Sequence, residues 1–262
     1  MTFEQPRLIG GVTASLIGVA TAVVRTADVA ALFAPMPGQP RTGAHRLHVR
    51  LARELAAVGV PSLRFDPADG GDTAPGAEQA ARYEGDLVAA AEDLRAQHLD
   101  AGLVFIAIGD AALPLARSLR AIGAASLPCS ALCFVDPRLP TVRTVEPRGT
   151  WRRVLRRRSP TIDAIDDPAS PLHDDERTWF ALPRALRAMN ATLHVAAGHD
   201  LHARELTRNL LGEDRDWQRA LRDGEAFGRI DGADASYSQP QHWRALVEWL
   251  VQQITHHRHR GR

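Results

Sequence analysis

Leu103-Val104-Phe105-Ile106-Ala107, running into Ile108-Gly109-Asp110-Ala111-Ala112, is the stretch on which the fold reading turns. The first five residues are apolar and rich in β-branched and aromatic types, the signature of a buried strand. A tight turn follows, and Leu113 to Ile122 then repeats apolar residues at helical spacing. A strand, a sharp turn and a helix in this order lift the residue at the apex above the sheet. Enzymes that attack with a hydroxyl or thiol place it there. Here the apex is Gly109, which has no side chain to project.

Outward from this unit, short apolar runs alternate with longer amphipathic stretches. The pattern predicts an α/β chain, a mostly parallel sheet covered by helices on both faces. Strands are expected at Leu16–Val24, Val29–Phe33, Pro61–Phe65, Leu103–Ile108, Ser130–Val135, Thr192–Ala196 and Ala226–Ile230. Helices are expected at Ala44–Val58, Glu78–Gln97, Leu201–Leu211 and Gln241–Ile254. The first has Leu47, Leu51, Leu55 and Val58 on one face; the last has Trp243, Leu246, Val247, Leu250 and Ile254. The regularity breaks from about 138 to 185, where prolines and charges crowd together. Residues 1–262 therefore read as one domain, with 138–190 inserted as a helical cap over the mouth of a site.

The 262 residues suffice for one large core. A formal charge of +1 leaves nothing global to attract nucleic acid, and no nucleic-acid partner is expected. All 32 basic residues are arginines, which fits codon bias better than selection for guanidinium chemistry. Cys129 and Cys133 lie four apart in a strand-like run, about 13 Å end to end, too far for a mutual disulfide. No Cys/His spacing suggests zinc, and neither a metal nor a cofactor is expected. The segment Ala14 to Val24 is too short and too interrupted to span a bilayer, so a cytoplasmic location is expected.

One local charge feature stands out. In Trp151-Arg152-Arg153-Val154-Leu155-Arg156-Arg157-Arg158, a helix would set Trp151, Val154 and Leu155 on one face. Arg152, Arg153, Arg156 and Arg157 would lie on another. Such a segment suits an anionic membrane surface, an acidic polymer or a partner protein. The acidic run Asp163, Asp166, Asp167, Asp174, Asp175 and Glu176 offers an internal alternative.

Taken together, Arg41-Thr42-Gly43-Ala44-His45-Arg46, Leu51-Ala52-Arg53-Glu54-Leu55-Ala56 and Arg64-Phe65-Asp66 resemble the exosortase A system-associated hydrolases. These are bacterial proteins of α/β-hydrolase fold associated with exopolysaccharide and protein-sorting loci. Ile108-Gly109-Asp110, Cys133-Phe134-Val135, Gly198-His199-Asp200-Leu201 and the stretch from Ala233-Asp234 to Ser238 extend the match in order. It spans roughly residues 29–136 and 191–250. The resemblance implies an elbow nucleophile, an acid after a late strand and a histidine near the C-terminus. Only the acid carries over, as Asp200; Gly109 stands at the nucleophile position and Ala235 at the histidine position. Losing either group of such a triad removes about 10⁶ of rate, on the order of 8 kcal/mol.

The same fold draws one oxyanion donor from the loop after an early strand. Here that loop is Ala34 to Pro40, in which Pro35, Pro37 and Pro40 have no N–H to give, while Met36, Gly38 and Gln39 do. A pocket lined near Met36, Gly109, Asp110, Asp200 and Ala235 is expected to bind an unidentified small ligand or a partner protein without catalysis. Asp110 is expected to accept hydrogen bonds at its helix N-terminus; His45 and His48, at the start of a helix, are expected to be structural or solvated, with a place facing the pocket mouth as the alternative. The enzymatic alternative is a weak esterase or thioesterase with a non-standard nucleophile. A third reading is an inactive partner subunit for an active homologue.

Overall fold

The computed structural model describes residues 3–11, 15–23, 27–68, 70–73, 79–138, 174–198, 215–222, 227–234 and 236–260. Eight strands form one sheet: β1 (Phe3–Gly10), β2 (Ser15–Ala22), β3 (Val29–Ala34), β4 (Ser62–Phe65), β5 (Gly102–Ile108), β6 (Cys129–Val135), β7 (Thr192–Ala197) and β8 (Phe227–Arg229). Their spatial order is β1-β2-β4-β3-β5-β6-β7-β8. Strand β2 runs antiparallel to both its neighbours, and every pair from β4 through β8 is parallel. Helices α1 (Leu47–Ala57), α2 (Gln79–Gln97), α3 (Ala112–Ala124), α4 (Asp174–Ala188), α5 (Arg215–Arg222) and α6 (Pro240–Arg260) cover it.

Period-two alternation in the central strands feeds two cores. Leu103, Phe105 and Ala107 of β5 pack with Leu87, Leu115, Trp179 and Trp217 from α2, α3, α4 and α5. Val104 and Ile106 turn the other way, onto Leu51 and Leu55 of α1 and Leu246 and Leu250 of α6. Fully buried parallel strands need apolar residues on both faces, and this one has them. A register shift between Leu103 and Val104 opposite β6 sends Cys129 into the first core and Cys133 into the second. Both thiols are free and buried.

Three elements depart from the sequence expectation. Strand β1 is unforeseen because Pro6, Glu4 and Arg7 break the apolar alternation; as an edge strand it tolerates them. Glu4 is taken by Arg53 and Arg64, and Arg7 by Asp93. Within the expected 138–190 insertion, Asp174–Ala188 is a helix packed into the core of the sheet through Trp179, Leu182 and Leu186. Residues 139–173, including Arg152, Arg153, Arg156 and Arg157, lie outside the described residues, as does the expected helix Leu201–Leu211. Helix α5 is the third, a single short amphipathic piece anchored by Trp217. No helix among the described residues is long and apolar enough to cross a membrane.

Candidate binding site at the strand ends

The C-terminal ends of β3, β5 and β6 open into one cavity. Ile108 is extended (φ −117°, ψ 129°), Gly109 switches to φ +60°, and Asp110 and Ala111 enter a 3₁₀ turn that leads into α3. This extended-to-left-handed-to-helical sequence is the strained elbow that lifts an apex residue above a sheet. A Cβ built at Gly109 would meet no atom within 4 Å. The elbow backbone is present, and the space over its apex is empty.

That space belongs to a cavity of about 170 Å³, lined by Met36, Pro40, Leu47 and Ile108 among apolar groups and by His48, Asp110, Asp136, Arg138 and Ser236 among polar ones. Met36 and Asp110 line it together with Gly109. Asp110, however, is half-exposed and faces Arg138 across 3.3 Å. Asp200, His199 and Ala235 lie outside the described residues.

Asp136 is the lining residue that motif reading passed over; His48 and Ser236 line the cavity as well. Asp136 follows β6 directly. Its Oδ1 accepts from the Gly198 N–H at 2.6 Å and its Oδ2 from the Tyr237 hydroxyl at 2.6 Å. Tyr237 is fully buried, and burial, the neighbouring Asp136 charge and that hydrogen bond hold its phenol far above the usual range. The signal in the sequence was a carboxylate at a strand C-terminus, Val135-Asp136-Pro137.

His48 sits in the first turn of α1. The helix expected from Ala44 starts only at Leu47, after a 3₁₀ turn in which His45 and Arg46 adopt φ of 48° and 59°. The His48 ring stacks on Phe33, with centroids 5.3 Å apart. On its other side lies Gly43 (φ +66°), where a Cβ would stand 2.8 Å from the ring. Burial, with the nearby Arg64 charge adding to it, pushes the imidazole down to about 4. The ring is neutral at pH 7 and too weak a base to activate a hydroxyl efficiently.

Among the described residues lining the cavity, Ser236 is the one that bears a hydroxyl, and its Oγ–H donates to Asp234. Asp234 also accepts the Ser236 N–H at 2.8 Å and the Ser238 hydroxyl and N–H at 2.6 and 3.2 Å. These bonds, the Ser236 hydroxyl foremost, hold its proton affinity far below that of an ordinary carboxylate. The cluster is a side-chain-capped turn with little capacity to take a proton. Burial pushes the Cys129 thiol up to about 12 and raises Cys133 as well, so neither supplies a thiolate. Among the described residues no group of three or more His, Cys, Asp or Glu side chains is placed to hold a metal ion.

No protein-family model matches the chain, and no curated protein matches it in sequence. Solved structures do. A dienelactone hydrolase from Anabaena variabilis superposes with a TM-score of 0.59 at 12% identity, over 97% of this chain and 98% of that one. A thermostable carboxyl esterase from Bacillus coagulans gives 0.60 at 10% identity, over 97% and 98%. A monoglyceride lipase from Saccharomyces cerevisiae gives 0.59 at 13%, over 98% and 96%. The chain has the α/β-hydrolase fold.

Proposed function

We propose that this chain is a non-catalytic small-molecule-binding protein built on an α/β-hydrolase fold, with its ligand seated over the elbow. The observation that carries the reading is Gly109: left-handed, at the apex between β5 and α3, with open cavity where a nucleophile would project. A triad works as a unit, so a missing nucleophile alone ends efficient acyl transfer. The mixed apolar and polar lining is that of a ligand pocket. The link to exosortase systems is carried by the sequence resemblance alone, and the binding proposal stands without it.

The second reading is a weak esterase or thioesterase using Ser236, because this cavity-lining residue donates its hydroxyl to a carboxylate, that of Asp234. Asp234 makes a poor base for that purpose, since general-base efficiency falls with proton affinity. A panel of acyl esters of several chain lengths separates the two. The wild type is expected to stay at the background rate, and Gly109→Ser combined with Ala235→His to rise above it. Wild-type turnover that vanishes in Ser236→Ala would establish the enzyme instead.

A further inference from the structure

We infer that Asp66 is the positioning residue of this cavity, fixing its proline-rich wall to the sheet. The inference rests on the reading of the cavity as a binding pocket.

The wall is the stretch from Met36 to Gly43, of which Met36, Gln39, Pro40 and Gly43 line the cavity. It contains no strand or helix. Two turns shape it from within, Gln39 N–H to Met36 O at 2.9 Å and Gly43 N–H to Pro40 O at 3.1 Å. Three prolines in Ala34–Pro40 remove the N–H groups that a neighbouring strand would otherwise grip. Beyond the His48 N–H to Thr42 O bond at 3.1 Å, which ties the wall's far end to α1, its anchor to the sheet comes from a side chain.

Asp66 supplies it. The residue directly follows β4, the neighbour of β3, and its side chain is fully buried. Its Oδ1 accepts the Arg41 backbone N–H at 2.5 Å, in the middle of the wall. Its Oδ2 accepts the Arg41 guanidinium and the Asp72 N–H, the latter at 2.9 Å. Arg41 Nη1 reaches on to Asp72 Oδ2 at 2.9 Å. The Asp66 backbone is itself fixed: its N–H donates to Ile17 O at 2.9 Å, and its carbonyl accepts the Thr73 hydroxyl at 3.0 Å. Asp66 thus joins the wall and Asp72 through its carboxylate, and Thr73 and strand β2 through its backbone. A buried carboxylate with charge-assisted partners has few alternative geometries, which is what a rigid wall requires.

Reporting on the wall needs no known ligand. In Gly109→Cys the new thiol projects into the cavity, while Cys129 and Cys133 stay buried and protonated. Its reaction rate with 4,4′-dithiodipyridine reads access past the wall. Introducing Asp66→Asn into Gly109→Cys should change that rate at least fivefold, and Arg41→Met should act in the same direction. Leu94→Ala, which opens the α2 core away from the cavity, should leave the rate within twofold at a matched loss of melting temperature. Equal rates in the Asp66 and Arg41 variants and the parent would overturn the inference, as would an equal shift in the Leu94 control. If Asp66→Asn does not fold, the Arg41 variant decides alone. A parent Gly109→Cys thiol as inert as the buried cysteines would instead sink the pocket reading itself.

Discussion

A Cβ at Gly109 has room but not conformation, whereas at Gly43 it has neither. The two glycines therefore separate backbone strain from steric contact. Placing alanine in the left-handed region costs about 1–2 kcal/mol. At Gly109, with φ +60° and no atom near, that is the whole penalty. At Gly43, with φ +66°, the His48 ring stands 2.8 Å from the added Cβ and must shift off Phe33. Gly109→Ala is expected to lower the melting temperature by roughly 2–8 °C, each kcal/mol being worth about 2–4 °C in a chain of this size. Gly43→Ala should lower it further. Thermal unfolding followed by circular dichroism ranks them, and an equal loss in both would show that the ring moves freely.

At the scale of elements, α4 shows why sequence pattern alone missed a core helix. Asp174, Asp175, Glu176, Arg177, Arg184 and Arg187 make the stretch read as charged, and Pro183 reads as a breaker. Yet Trp179, Leu182 and Leu186 fall on one face and bury fully. Pro183 has no N–H to return to the carbonyl four residues earlier, which belongs to Trp179. The indole N–H of Trp217, from α5, takes that carbonyl at 2.9 Å. The two tryptophan rings also pack, with centroids 5.8 Å apart. A helix of eight residues, with Trp217 and Leu221 as its buried pair, carries too short a pattern to reveal that it repairs another helix's broken bond. Trp217→Phe keeps an aromatic ring in place but removes the indole N–H and orphans the buried carbonyl, so it should destabilise by about 1–3 kcal/mol beyond the packing change. In the Pro183→Ala background the N–H returns and that extra loss should shrink. Urea melts of the four proteins close the cycle; additive losses would mean the indole bond is not a repair.

For the molecule as a whole, the sheet was legible where both faces of a strand are buried. The β3, β5, β6 and β7 runs were placed to within a residue or two because continuous apolar stretches leave little choice. The elbow was legible from a glycine after a strand. The parts played by Asp136 and Asp66 were not, because both act through long-range geometry: their partners lie 101 and 25 residues away. His48 also ties the cavity to global stability. Its folded value, about 4, lies below the ordinary 6.5, so between those values the unfolded chain binds the proton and the folded chain does not. Stability from this group is therefore complete above pH 6.5 and is lost as pH falls toward 4. About 2.5 units at 1.36 kcal/mol each gives on the order of 3 kcal/mol. Carboxylates add their own acid dependence, so the informative quantity is the difference between wild type and His48→Leu. That difference should move against the wild type by about 3 kcal/mol as urea-determined stability is followed from pH 7 to pH 4. It should be flat above pH 7. Parallel curves across the whole range, or an imidazole that titrates near 6.5 by NMR, would show that the ring is not held neutral by the fold and that the cavity wall does not depend on its charge.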